Sequence, residues 1–200
     1  MNLFQGNITG SCVPNRNYMT IDVARLGKDK TNIYIWKDLD VIESVQISKT
    51  THNIQLETIK SLQDKWKIPG RNIAIDSDGV GGSLSDFIPD CNKIVNNAKA
   101  INKENYLNLK NQLYFKLADY INSDKIRIFN QKKEHEEMLQ QELQVIKRVK
   151  IDQDGKLTIT SKDEIKRLIG RSPDYSDSLA FRMIFEIKPK GEFSFDTFSF

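Results

Sequence analysis

Four carboxylates in this chain stand where residue type and surroundings suggest chemistry. Asp22 closes the apolar, β-branched run Tyr18-Met19-Thr20-Ile21, and Asp76 closes a second such run, Asn72-Ile73-Ala74-Ile75. Asp174 and Asp177 lie together in Ser172-Pro173-Asp174-Tyr175-Ser176-Asp177-Ser178-Leu179-Ala180. An acid in an otherwise buried strand costs several kcal/mol to desolvate unless something pairs with it. Two acids three apart on a helix share a face, and near the N-terminus the helix dipole favours them. If that helix packs beside the first strand, its acids meet Asp22 and Asp76. Crowded carboxylates repel one another, and oxygen-ligated Mg²⁺ or Mn²⁺ relieves the repulsion. Two such ions about 4 Å apart can activate a water and stabilise the leaving oxygen of a phosphodiester.

Each acid also has a plainer reading. Asp22 can pair with Lys28 or Arg25, Asp76 can open a turn with Asp78 and Gly79, and Asp174 can serve only as a helix N-terminal acid. Asp177 is the hardest to explain this way, because its neighbours in sequence belong to an apolar face.

The elements that must position these acids follow from periodicity. Tyr18–Ala24 and Thr31–Trp36 read as a hairpin, and Val41–Ile47 alternates as a third strand. A helix from about His52 to Lys67 ends at Pro69-Gly70. Asn72–Asp76 is a short buried strand, Asn92–Asn96 a weaker one, and Ile126–Ile128 a short edge strand. A long amphipathic helix is expected over Asn102–Asn122 and a charged helix over Lys132–Ile146, with Met138, Leu139, Glu142, Leu143 and Ile146 as its stripe. Val149–Ile151 and Lys156–Thr160 flank Asp152-Gln153-Asp154-Gly155, a strong hairpin signal. Ser161 with Glu164 makes a capping box, and Ser172-Pro173 opens the last helix. Three meander strands followed by alternating helices and strands indicate one α/β domain, a mixed sheet with helices on both faces. Residues 1–17 read as a lead-in loop or linker, and 188–200 as a tail carrying Phe193, Phe195, Phe198 and Phe200.

Composition narrows the class. Two hundred residues, 38% hydrophobic and 28% charged, suit a globular protein with a real core. No apolar run approaches the roughly 18 residues of a membrane span, and no signal peptide is evident, so a cytosolic protein is expected. Two cysteines and two histidines make neither a disulfide framework nor a His-based metal cage. A net charge of +3 permits a polyanionic partner without demanding one, although Lys147, Arg148, Lys150, Lys162, Lys166, Arg167 and Arg171 crowd the last third.

Taken in order, these motifs resemble the nuclease domain of the large terminase subunit of tailed bacteriophages. Ile21-Asp22-Val23-Ala24, with Gly27 and Asp29-Lys30-Thr31 after it, resembles that family's first acidic strand and turn. Ile75-Asp76-Ser77-Asp78-Gly79-Val80-Gly81 is similar to its second acidic motif, Asn108–Tyr114 to the start of its long helix, and Asp174–Ala180 to its closing motif. The resemblance implies an RNase H-like fold over residues 18–187, with a mixed five-stranded sheet and an extra β-hairpin. It implies metal-dependent endonuclease cleavage of double-stranded, concatemeric viral DNA, with two Mg²⁺ or Mn²⁺ ions. It makes Asp22, Asp76 and Asp177 the catalytic metal ligands, Asp174 an auxiliary one, and Asp29 and Asp78 second-tier candidates. Arg167, Arg171 and Lys150 become candidates for touching the DNA backbone, which supplies most sequence-independent affinity. The implied partners are an ATPase motor domain, a small terminase subunit and a portal, in the cytoplasm of a bacterial host.

One departure bears on that implication. These residues hold no Gly-x-x-x-x-Gly-Lys-Ser/Thr, so motor activity is not expected of them, and the chain reads as an excised domain or a fragment gene. Three rivals stand beside this reading. They are another RNase H-like nuclease of the resolvase or integrase type, an actin/Hsp70-like phosphate-binding ATPase lobe, and a non-catalytic DNA- or portal-binding module.

Overall fold

Side-chain alternation along two strands decides where the acids point. Strand β1 (Asn17–Asp22) sends Met19 and Ile21 into one core and Tyr18, Thr20 and Asp22 to the opposite face. A computed structural model describes residues 3–5, 16–23, 30–48, 51–78, 84–129, 131–149 and 155–187. β1 pairs antiparallel with β2 (Lys30–Lys37), which pairs antiparallel with β3 (Asp40–Ser48), giving the expected meander. On its other edge β1 runs parallel to β4 (Ile73–Asp76), with Thr20 facing Ala74 and Ile21 facing Ile75. That register brings Asp22 and Asp76 out at the same end of neighbouring strands. β5 (Asn92–Ile94) extends β4, and β6 (Arg127–Ile128) extends β3 in parallel. The sheet has six strands, ordered β5-β4-β1-β2-β3-β6, one more than the five expected because the two-residue edge strand joins it. Leu3 and Gln5 exchange backbone bonds with Ile128 at that edge.

Two cores sandwich the sheet. Ile33, Ile35, Ile73 and Ile75 meet Ile59 and Leu62 of α1 (His52–Trp66) on one face. Each such fully buried aliphatic side chain contributes about 1.5–3 kcal/mol. Lys67 in the left-handed conformation ends α1, and Lys65 and Trp66 both reach Glu43 on β3. A 3₁₀ turn, Gly70–Asn72, then enters β4 so close to Pro89 that a Cβ on Gly70 would overlap the Pro89 carbonyl oxygen.

Tyr34, Trp36, Ala74 and Ile94 meet the remaining helices on the other face. These are α2 (Leu109–Asn122), α3 (Lys133–Val145), α5 (Asp174–Phe181) and α6 (Ile184–Ile187), while α4 (Lys162–Ile169) packs against α3. α2 begins seven residues later than the periodicity indicates. Asn102 sits at a φ of 58° within a 3₁₀ turn, and Asn108 is the true cap, its side chain accepting from the Asn111 amide at 3.0 Å. Ser161 caps α4 as expected, accepting from the Glu164 amide at 3.2 Å.

The last helix differs from expectation in two ways. Pro173 precedes it and Ser172 does not cap it; instead Glu142 of α3 accepts the Ser176 amide at 2.7 Å. It also breaks at Arg182, which is 2% exposed and donates to the Asp38 carbonyl at 2.9 Å. β7 (Arg148–Val149) and β8 (Thr158–Ile159) pair as the extra hairpin. Backbone bonds join Leu157 to Asn105 and Leu107, and the Ile159 amide donates to Asn111 Oδ1 at 2.7 Å, which fastens this hairpin to the start of α2. The loop with Gly27 and Asp29, most of the Asp152–Gly155 turn with Lys150, and the phenylalanine tail lie outside the described residues. No helix among the described residues is long and apolar enough to cross a membrane.

Candidate active site

The end of β1, the end of β4 and the first turns of α5 meet at one place. Ser178 fixes the contact, donating its hydroxyl to the Thr20 carbonyl of β1 at 3.1 Å. Asp177, one residue before, is 4% exposed, and Asp76 is 9% exposed. Burial pushes the Asp22 carboxyl well above the usual range, and the charges of Asp177, Asp174 and Asp76 push it further in that order. Asp76 is pushed up to about 6, mainly by burial, while the Asp78 amide holds it back with a bond at 3.1 Å. The four acids named from the sequence therefore share one electrostatic site.

The balancing charge is Lys110, in the first turn of α2. Its ammonium lies 2.6 and 2.8 Å from the two oxygens of Asp177, and Tyr114 donates its hydroxyl to Asp177 Oδ1 at 2.6 Å. Burial opposes the Lys110 charge, but the carboxylates of Asp177, Asp22 and Asp76 outweigh it and hold its proton more tightly than usual. Among the described residues no three carboxylate, histidine or cysteine side chains are arranged to hold one ion. Asp78 stands at the edge of the cluster, where its charge also raises Asp76; its Oδ2 accepts from the Asn96 amide at 3.0 Å and side chain at 2.9 Å, which ties the end of β4 to the end of β5.

Above the acids opens a cleft of about 640 Å³, lined by Asp22, Asp76, Asp78 and Asp174 and by Lys162 and Lys166 among others. The two arginines named from the sequence are engaged elsewhere. Arg167 pairs with Glu164 at 2.6 Å on the exposed side of α4, and Arg171 pairs with the fully buried Glu142. Asp29 and Lys150 lie outside the described residues.

Lys110 and Glu142 are the residues the sequence offered without a role. A lysine in the first turn of a helix opposes the dipole, so it signals a nearby acid. A glutamate inside an apolar stripe signals a buried partner. Burial pushes the Glu142 carboxyl up to about 7 against the pull of Arg171 and the Ser176 amide.

A meander extended by parallel strands, with acids at the ends of the first and fourth strands and on a helix laid against them, defines an RNase H-like fold with an acidic centre. No protein-family model and no curated protein matches the sequence. Solved structures do match the fold. The nuclease domain of the large terminase subunit of bacterial virus Sf6 is 20% identical with a TM-score of 0.72, over 84% of this chain and 88% of that one. The large terminase nuclease of thermophilic phage G20c, solved with bound magnesium, is 14% identical with a TM-score of 0.62, over 90% and 91%. The nuclease domain of Thermus phage P74-26 is 16% identical with a TM-score of 0.56, over 88% and 82%. A variant of the Sf6 domain was solved with manganese. This chain has the fold of the large terminase nuclease domains.

Proposed function

We propose that this chain is a metal-dependent endonuclease that hydrolyses phosphodiester bonds of double-stranded DNA during packaging of concatemeric viral genomes. The observation that carries the proposal is the convergence of Asp76, Asp174 and Asp177 on Asp22 from two other elements, beneath an open cleft. A cluster that raises the proton affinity of its own members destabilises the folded chain, and a bound cation offsets that cost. The donors are carboxylate oxygens alone, which suit Mg²⁺ or Mn²⁺. Asp22, Asp76 and Asp177 would hold two ions once their side chains turn to a common point, which they do not share in the metal-free chain, with Asp174 beside them and Asp29 as a further candidate. Such ions, when bound, make a nucleophile of water at neutral pH and stabilise the leaving oxygen.

The chain's own residues do the positioning. Lys110 and Tyr114 hold Asp177 oriented, with two donors on Asp177 Oδ1. Asp78 and Asn96 fix the backbone beyond Asp76. Glu142 fixes the first turn of α5 through the Ser176 amide and keeps Asp174 and Asp177 at a set height over β1.

In the packaging setting we infer that the nuclease works in the host cytoplasm beside an ATPase motor, a small terminase subunit and a portal. These 200 residues hold no phosphate-binding loop of their own, so ATP hydrolysis is supplied from elsewhere. The test is cleavage of supercoiled plasmid. Nicking and linearisation with Mn²⁺ or Mg²⁺, abolished by chelator and by Asp22→Asn or Asp177→Asn, is the expected result. Cutting that persists in chelator, or in the Asp22→Asn/Asp177→Asn double variant, overturns the assignment.

A further inference from the structure

The acids explain the floor of the cleft but leave its basic wall without a role. A polyanionic strand laid over four carboxylates is repelled, so it must be held by cations not spent in ion pairs with those acids; Lys162 reaches Asp76 only through its longer-range field. α4 supplies two. Lys162 and Lys166 both line the cleft, both are exposed, and neither lies within ion-pair distance of an acid among the described residues. They are four apart on one helix, so they stand on one face about 6 Å from each other. Glu164 and Arg167 lie away from the pair and bind each other, while Asp163, three residues before Lys166, flanks the pair without an ion pair to it among the described residues. Ile165 anchors the helix in the interior, so the spacing of the pair is fixed by a rigid element. The capped first turn of α4, with Thr160 and Ser161, borders the same cleft and adds the positive end of its dipole. Lys30 also lines the cleft, but it is a single contact at the start of β2.

We propose that Lys162 and Lys166 form a backbone clamp that grips two neighbouring phosphates of the DNA strand being cut. This deepens the nuclease reading and rests on it for the choice of DNA as the polyanion. Ammonium groups on flexible stems act as point charges with no demand for planar geometry, so the clamp holds any sequence alike. Arg167 and Arg171, with their charges already paired, take no part in it.

The experiment measures binding of the whole chain to labelled duplexes of two unrelated sequences, by fluorescence polarisation in EDTA, between about 50 and 200 mM salt. The slope of log affinity against log salt is expected to fall by about 1 for Lys162→Ala, by about 1 for Lys166→Ala and by about 2 for the double variant. The loss is equal for both sequences, and Arg167→Ala keeps the parent slope. Calorimetric titration with Mn²⁺ gives the same affinity for the double variant and the parent. A double variant with the parent's slope overturns the clamp, as does a parent chain that does not bind duplex DNA. The two readings fail separately. A slope that falls in a chain that cuts with no metal removes the nuclease and leaves the clamp, whereas cutting with an unchanged slope removes only the clamp.

Discussion

Replacing Asp76 with asparagine should stabilise the metal-free protein while removing a ligand of the proposed metal site. Asp76 is 9% exposed and its carboxyl is pushed from 3.8 to about 6, first by burial. A rise of that size corresponds to about 3 kcal/mol by which the folded state disfavours the charged form. The sign follows from proton counting. The folded chain binds the extra proton between the two values, so stability is greatest below the unfolded value and is lost as pH rises through about 6. The Asp76→Asn variant keeps a side-chain oxygen as acceptor for the Asp78 amide and the Asn96 side chain, which lie 3.1 and 3.4 Å from Asp76 Oδ1. Only the charge leaves. In EDTA at pH 8 the variant should therefore melt roughly 6–12 °C above the parent, given about 2–4 °C per kcal/mol for a domain of this size. Near pH 4 the two should melt together. Adding Mn²⁺ should reverse the order at pH 8, because a ligand that binds only the folded parent stabilises it by mass action. If Asp76→Asn is destabilised by the same amount at both pH values, Asp76 is not in a repulsive cluster and the metal-site reasoning fails with it.

Three further outcomes follow from the same geometry. Lys110→Met leaves Asp177 buried against the other acids, and urea melts in EDTA should show a loss of about 3–5 kcal/mol, the usual consequence of removing one partner of a buried pair; a loss below about 1 kcal/mol would refute the pairing. Glu142→Ala strands Arg171 and uncaps α5, and should cost a similar amount together with plasmid cutting, whereas Glu142→Gln keeps an acceptor for the Ser176 amide and should recover part of both. Gly70→Ala drives a methyl into the Pro89 carbonyl and should destabilise by about 1–3 kcal/mol, measured by urea melts; an unchanged midpoint would refute the close approach.

Much of this arrangement was open to the sequence because it depends on local periodicity. The alternation through Met19, Thr20, Ile21 and Asp22, and through Ile73, Ala74, Ile75 and Asp76, fixes which face each acid takes before any partner is known. Asp174 and Asp177 were legible from helical spacing in the same way. What was hidden depends on contacts between distant residues. The first turn of α5 is satisfied by Glu142 from another helix, so its own sequence carries no cap signal. The start of α2 is set by Asn108 and by the left-handed Asn102, neither of which breaks the apolar pattern. Arg171 sits in the same basic run as Lys166, and only folding turns one inward to Glu142 and the other to the cleft. Asp177 could be named from its motif, but its engagement with Lys110 required two helices to meet.

The site draws its acids from opposite ends of the chain, β1 near the start and α5 near the finish. A ribosome adding roughly 5–20 residues per second exposes Asp22 on the order of ten seconds before it delivers Asp177. During that interval the growing polypeptide holds β1 and β4 but has neither the helix that closes over them nor its partner for Lys110. The repulsion among the carboxylates is thus postponed to the final stage of folding, after most of the sheet can already form. A chain released early would hold all six strands of the sheet without the helix that brings Asp174 and Asp177 to Asp22.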